Sequence, residues 1–340
     1  MEKNKIRIGH VGTLHDHSIG KLNSVHKLSD TFEIVGIVVE NEERREQLQK
    51  EYPYSVYPFM SEEELLNRGC DAVMVEGFEY ELPHVAKRFI ENGVAVHIDK
   101  PAGKDIDVFE SALRTAKQKH IPVQMAYMYR YNPAVQKCIE MVDQGKLGDI
   151  MSVTAIMNTG HPIDKQQWLH NFKGGIMFFL GCHMLDLIFR IQGTPENITP
   201  YLNEAVIGGI HTENQTTSVL EYNHGISIAQ ANSCEINGYG RRQLVVCGTK
   251  GTFEIRPLER IPHAFFTSID EAVTFEDKHT EMIFPAVTDA VRYDAMMLDF
   301  ARMVRGEIEN PYTYEYELQL QKIILASCGY DVNYRTSIEL

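Results

Sequence analysis

The chain has 340 residues, 44% of them hydrophobic and 24% charged, the balance of a soluble globular protein with room for two domains. Its 33 basic and 47 acidic side chains leave a net charge of −14, which argues against nucleic acid or an anionic membrane as partner, since both demand basic patches. The six cysteines lack CxxC spacing and suit a reducing compartment, and no apolar run reaches the length of a signal peptide or the ~20 residues of a membrane span, so a cytoplasmic protein is expected.

Strand-like and helix-like patterns alternate from residue 1 to about 123. Ile6–Val11 is a short apolar strand, Gly12 opens a turn, and a helix is predicted from about His17 to Ser29. Phe32–Val39 is a β-branched strand ending at Glu40, and Asn41 caps a charged helix over 42–51. Tyr54–Tyr57 reads as a third short strand, and Ser61-Glu62-Glu63-Glu64 as the capping box of the next helix. Ala72–Val75 is a fourth strand, followed by a helix, His84–Glu91, that Gly93 stops. Val94–Ile98, a helix over Asp105–His120 and the strand Ile121–Ala126 complete the series. Such alternation predicts a doubly wound parallel sheet.

Beyond Tyr127 the pattern changes. A helix over Ala134–Gln144 precedes longer strands at Ile150–Asn158, Ile198–Leu202, Thr216–Tyr222, Ile226–Cys234, Gln243–Cys247 and Gly251–Ile255. The breaks at Asn223-His224-Gly225 and Gly248–Gly251 predict antiparallel hairpins. Two late helices are expected near Tyr293–Arg305 and Tyr316–Gly329. The prediction is therefore an α/β chain: a Rossmann domain over 1–123, then an α+β domain over 124–340 with a large, open-faced, mostly antiparallel sheet. Helices can cover only one face of that sheet, so a homodimer or homotetramer is expected.

The residues with chemical promise lie at strand ends. Asp99-Lys100-Pro101 follows a strand and would face the crevice where open α/β sheets bind ligands. Gly12-Thr13-Leu14-His15-Asp16-His17 sits where a dinucleotide phosphate loop belongs, yet only Gly12 of the G-x-G-x-x-G glycines is present; Leu14 and His17 take the other two places. The helix N-terminus behind it still offers amides to an anion, and His15 or His17 can add a donor. A tight turn with two exposed histidines is the competing reading. Glu40 can accept both hydroxyls of an adenine ribose and repel a 2′-phosphate, favouring NAD over NADP, although Arg44 and Arg45 follow one turn later. Glu40 can also be a mere polar strand end.

Taken in order, these segments resemble the Gfo/Idh/MocA family of sugar and inositol oxidoreductases over essentially the whole chain. The family's Glu-Lys-Pro reads here as Asp99-Lys100-Pro101, and its aromatic-Arg-x-x-Pro segment as Tyr129-Arg130-Tyr131-Asn132-Pro133. Its Gly-Gly…Asp-x-Gly-x-His-x-x-Asp helix reads as Gly174-Gly175 followed by Phe179-Leu180-Gly181-Cys182-His183-Met184-Leu185-Asp186. Gln144–Ile150 matches the family's helix-to-strand joint. Three departures stand out: the degraded glycine loop, Glu76-Gly77-Phe78-Glu79 where a Thr-Pro turn is usual, and Phe179 in place of the catalytic aspartate.

The resemblance implies an NAD-dependent oxidoreductase acting on a sugar, polyol or sugar derivative, with Lys100 and His183 as catalytic groups. It places NAD over Gly12, Thr13, Leu14, His15, His17, Glu40, Glu76, Lys100 and Pro101. A buried lysine near a nicotinamide cation is driven toward its neutral form, and a histidine near neutral pKa suits a base. Tyr129 and Arg130 can hold a substrate carboxylate or hydroxyl, or Arg130 can form a structural ion pair. Asp186 shares a helix face with His183 and can orient it, or serve structure alone. Trp168, the only tryptophan, can stack on a sugar ring or anchor a loop. His161, His170 and His183 fit no common ligand spacing, so no metal is expected. Two alternatives stay open: a bound NAD that drives elimination, isomerisation or hydrolysis by transient oxidation, and a degenerate binding protein without turnover.

Overall fold

Short apolar runs closed by glycine, asparagine or proline fix the elements of this chain, which a computed structural model describes over residues 4–259, 263–269, 277–336 and 338–340. In chain order the first ten are β1 (Ile6–Val11), α1 (Ser18–Lys27), β2 (Phe32–Val38), α2 (Glu42–Leu48), α3 (Glu62–Arg68), β3 (Ala72–Val75), α4 (Leu82–Glu91), β4 (Ala95–Ile98), α5 (Ile106–Lys119) and β5 (Val123–Met125). There follow α6 (Pro133–Asp143), β6 (Ile150–Ile156), α7 (Ile163–Leu169), a π-helical turn over Met177–Gly181, and α8 (Cys182–Gln192). Strands β7 (Asn197–Glu204), β8 (Glu213–Tyr222), β9 (Gly225–Asn232), β10 (Gln243–Gly248), β11 (Gly251–Ile255), β12 (His263–Ile269) and β13 (Asp277–Ile283) lead to α9 (Asp294–Val304) and α10 (Tyr314–Ser327).

The chain divides into two compact units, and the first is not continuous. It takes residues up to Met128 and regains Asp289–Leu318 and Ile338–Leu340, where a single boundary after residue 123 was expected. The reason lies in α9, which packs on α1: Ser24 Oγ donates to Asp294 Oδ1 at 2.6 Å, and Gly20 leaves room for the Tyr293 ring, which a Cβ would meet at 2.6 Å.

The first unit holds a five-stranded parallel sheet in the order β2-β1-β3-β4-β5. Strands β3 and β4 are buried throughout, as a sheet covered by helices on both faces requires. The strand expected at Tyr54–Tyr57 is instead a 3₁₀ turn over Tyr54–Val56. Its place at the sheet edge is taken by Phe59, which makes one parallel bridge to Ile37 of β2. Pro53 and Pro58 bracket the turn, and a residue lacking an N–H cannot sit inside a ladder. Ser61 and Glu64 form the expected capping box before α3.

The second unit is built on an eight-stranded sheet, β13-β12-β11-β10-β6-β9-β8-β7, antiparallel except where β6 runs beside β9. Both expected hairpins form, β8–β9 with Tyr222 opposite Gly225 and β10–β11 with Cys247 opposite Thr252. On β9, Ser227, Ala229 and Ala231 face inward, while Ile226 and Ile228 lie on the open face with Val219 of β8. Among the described residues no helix is long and apolar enough to cross a membrane.

Gly12 closes β1 against the turn after β3. Its φ is +84°, and a Cβ would meet Gly77 Cα at 2.5 Å. Gly77 itself has open room, its nearest neighbour being Gly12 Cα at 4.0 Å. Gly12→Ala should therefore lower stability by about 1–3 kcal/mol in urea unfolding, the cost of a left-handed non-glycine residue before any backbone shift. Gly77→Ala should stay within about 1 kcal/mol of the wild type. Equal effects from the two would refute this account of the turn.

Candidate active site

The carboxyl ends of β1, β3 and β4 carry the first unit's polar residues, and most of them are buried. Asp99, one residue past β4, accepts from the Lys100 amide at 2.6 Å and from Lys21 Nζ at 2.7 Å. His15 Nδ1 lies 2.9 Å and His17 Nδ1 3.3 Å from its two oxygens. Lys21 also reaches Glu76 Oε1 at 2.7 Å, and His15 Nε2 lies 3.2 Å from the Lys100 carbonyl and 3.8 Å from Glu79. Burial opposes ionisation of Asp99, but His15, Lys21 and His17 outweigh it and hold its carboxyl well below the usual range. Burial pushes Glu76 well above its ordinary value despite Lys21, and the Asp99 charge adds to the rise. Of the two carboxyls, burial thus disfavours the charge at Glu76 while the surrounding cations favour it at Asp99. Glu76 Oε2 is buried with no partner among the described residues.

The turn after β1 is tied down from both sides. Thr13 donates its amide to Glu40 Oε1 and its hydroxyl to Glu40 Oε2 at 2.8 Å, while Arg44 reaches Thr13 Oγ1 at 3.0 Å and its carbonyl at 3.1 Å. His15 donates its amide to the Glu76 carbonyl at 3.0 Å. Leu14, at the place of the second fingerprint glycine, lies at the crest, 40% exposed. A carboxylate has about four acceptor sites, so Glu40 keeps two for a ribose diol after holding Thr13. On that observation the turn leaves acceptors for the ribose of a nicotinamide dinucleotide, with Arg44 adjacent.

The competing reading of this turn, with two exposed histidines, is not what forms. His15 is buried and His17 nearly so, bound to Asp99, and neither stands exposed. Glu76 and Lys100 are fully buried beside them. Donor atoms of His15, His17 and Asp99 fall within 4.8 Å of one another, a spacing that could hold a cation; Lys21 already supplies one to Asp99.

In the second unit the π-helical turn Met177–Gly181 delivers Phe179 and then His183, in the first turn of α8. Single π-turns inside helices recur at functional sites. His183 is buried, with the Tyr129 ring edge-on at 5.0 Å. The Tyr129 hydroxyl donates to Glu259, which also takes Arg242 NH1 at 2.5 Å and Tyr239 Oη at 3.0 Å. Arg130 forks onto Asp186, with Nε 3.0 Å and NH2 2.8 Å from its oxygens. Both members of that pair are buried, so of the two expectations for Arg130 the structural ion pair is the one that forms. Trp168, on α7, is half-buried, edge-on to Phe172 at 6.0 Å. Phe179 is buried and stacks on the same Phe172, while Lys165 Nζ stands 4.1 Å over the Phe179 ring.

Sequence reasoning passed over Lys21, Glu79, Lys165, Arg242 and Glu259. Lys21 had a signal: with Ser18, Leu22 and Val25 it falls on the buried stripe of α1, where a lysine demands a partner. Arg242 and Glu259 had none, because they meet each other and, across long stretches of sequence, Tyr129.

Residues 6–127 match the oxidoreductase family with an NAD-binding Rossmann fold, and residues 135–254 match the Gfo/Idh/MocA C-terminal domain. A myo-inositol dehydrogenase of Streptomyces leeuwenhoekii is 22% identical over 188 residues, 54% of each chain. A trans-1,2-dihydrobenzene-1,2-diol dehydrogenase of Bos taurus is 26% identical over 167 residues, 48% of each. The chain thus spans about half the length of the curated relatives it matches. Its fold is that of an Agrobacterium radiobacter oxidoreductase solved with NAD+, L-tartaric acid and magnesium, at TM-score 0.78 and 15% identity over 96% of this chain and 97% of that one.

Three buried histidines give the first unit a pH signature. Desolvation lowers His10, His17 and His97 to about 3, with Lys21 adding to the fall at His10 and His97. Each binds a proton near pH 6.5 when unfolded but only near pH 3 when folded, so each contributes stability that is lost as pH falls below 6.5. Glu76 works in the opposite sense, since its raised pKa favours the folded state at lower pH. His97→Asn keeps a donor for Gln124 Oε1, the 2.7 Å partner of His97 Nδ1. It should flatten the slope of unfolding free energy between pH 6.5 and 4.5 by up to about 1.4 kcal/mol per pH unit. An unchanged slope would show that His97 titrates normally.

Proposed function

Because the chain belongs to the Gfo/Idh/MocA family of oxidoreductases with an NAD-binding Rossmann fold, we propose that it oxidises a secondary alcohol of a sugar, polyol or sugar derivative with NAD. The observation that carries this reading is the Rossmann turn of the first unit, whose Thr13 amide and hydroxyl are both held by the Glu40 carboxylate. The relatives support the substrate class, two of them being named for dehydrogenation of a cyclic polyol and of a diol.

Bound NAD supplies the hydride acceptor. Gly12, Thr13, Leu14 and Glu40 hold its adenosine end, with Glu40 accepting the ribose hydroxyls; Lys100 and Pro101 lie toward the reacting end. His183 takes the hydroxyl proton, and the Tyr129 ring against it fixes its plane. Lys100 orients the hydroxyl. Its backbone is fixed at both polar groups, the amide on Asp99 and the carbonyl beside His15. Glu40 favours NAD through charge, and Arg44 moderates that preference. A homo-oligomer formed through the open face around Val219, Ile226 and Ile228 belongs to the same proposal.

Lys100→Met and His183→Ala should each lower kcat by about 10²-fold or more, the scale of general acid-base catalysis, measured as NADH absorbance on a confirmed substrate. Wild-type turnover in both would remove them from the mechanism. Glu40→Ala should weaken NAD more than NADP in calorimetry, and equal losses would sink the ribose assignment. NAD that copurifies without net NADH formation would favour the transient-oxidation alternative.

A further inference from the structure

In the first unit the turn after β1 and the end of β4 bring three ligand-bearing side chains together. One ligand atom each of His15, His17 and Asp99 lies within 4.8 Å of the other two. Nδ1 of His15 stands 2.9 Å from Asp99 Oδ2, and Nδ1 of His17 stands 3.3 Å from Asp99 Oδ1. The two imidazole rings are 4.7 Å apart between centroids. In a tetrahedral zinc site with bonds of about 2.0–2.2 Å, neighbouring ligand atoms lie roughly 3.3–3.5 Å apart. Small side-chain rotations therefore bring all three atoms to ligating distance.

The surroundings supply what metal ligands need behind them. Nε2 of His15 faces the Lys100 carbonyl at 3.2 Å and Glu79 at 3.8 Å, both acceptors, so this nitrogen carries the ring proton. Histidines that ligate metals donate their other ring nitrogen to a carbonyl or carboxylate in the same way. The His17 amide donates to His15 Nδ1 at 3.2 Å, which makes that nitrogen a lone pair 2.9 Å from a carboxylate oxygen. Two such lone pairs repel unless a cation or a proton lies between them. Asp99 is itself held, its Oδ2 by Lys21 at 2.7 Å and its Oδ1 by the Lys100 amide at 2.6 Å, as ligating carboxylates are. With about four acceptor sites on a carboxylate, both oxygens keep a lone pair for an ion.

We propose that His15, His17 and Asp99 bind a divalent ion of the zinc class. Two imidazoles and one carboxylate suit zinc and its transition-metal neighbours, whereas magnesium and calcium take sets of oxygen ligands. The ion ties the turn after β1 to the end of β4. Three protein ligands leave a fourth position open. His17, the least buried of the three, is the ligand that an entering ion meets first. Binding of this ion needs no turnover, so it stands or falls apart from hydride transfer.

The full chain, freed of metal with a chelator and dialysed, would be titrated by calorimetry with Zn2+ and separately with Mg2+. We expect a single class of Zn2+ site with micromolar or tighter Kd, no response to Mg2+, and a Tm that rises with Zn2+ alone. His17→Gln should weaken Zn2+ binding by about tenfold or more. His211→Gln, which alters an exposed histidine paired with Glu204, should leave it unchanged. Absence of Zn2+ binding would overturn the assignment and leave a proton between His15 and Asp99. Equal binding of Mg2+, wild-type affinity in His17→Gln, or an equal loss in His211→Gln would overturn it too. Should His17→Gln fail to fold, Co2+ bound to the wild type decides. Intense visible bands of a four- or five-coordinate ion support the site, and the weak bands of a six-coordinate aquo ion refute it.

Discussion

One carboxylate organises the first unit. Asp99 follows β4 directly and gathers Lys21 from α1, His15 and His17 from the turn, and the Lys100 amide from its own segment. A buried carboxylate without partners would neutralise itself, and a buried lysine likewise. Here each makes the other tolerable, and together they fasten α1 and the β1 turn to the end of β4. Removing one member of such a pair costs about 3–5 kcal/mol, because the remaining charge stays buried. This cluster stands where glycines would otherwise let backbone approach a ligand directly. Side-chain contacts therefore hold the turn's shape, and Gly12 alone retains the glycine role, its Cβ position filled by Gly77.

The second unit uses the same device at a different place. Its buried charges are matched, Arg130 by Asp186 and Arg242 by Glu259, and the second pair also holds the Tyr129 hydroxyl. Matched ions of this kind contribute orientation more than stability. They fix the Tyr129 ring, and that ring stands edge-on to His183. The π-turn before α8 adds a local change of helical register at Phe179, the residue whose identity departs most from the family pattern.

Much of the fold was legible because periodicity reports burial directly. The all-buried β3 and β4, the capping box at Ser61 and the β8–β9 hairpin at Asn223-His224 each carry their cause in adjacent residues. The misses are elements whose cause lies elsewhere in the chain. Strand β13 is a sheet edge and β12 lies between it and β11, so pairing with neighbouring strands defines them. Helix α7 has seven residues and depends on Gln166 reaching Ser233. Side-chain pairings were not legible in the same way. Arg130 and Asp186 lie 56 positions apart and pair with each other, and Lys21 meets Asp99 across 78.

The account turns on the β1 turn accepting a dinucleotide through Glu40 despite its missing glycines. Native mass spectrometry of the full chain incubated with equal concentrations of NAD and NADP tests this most directly. The account predicts one NAD per chain in preference to NADP. A chain that stays free of nucleotide, or that takes NADP first, would contradict it.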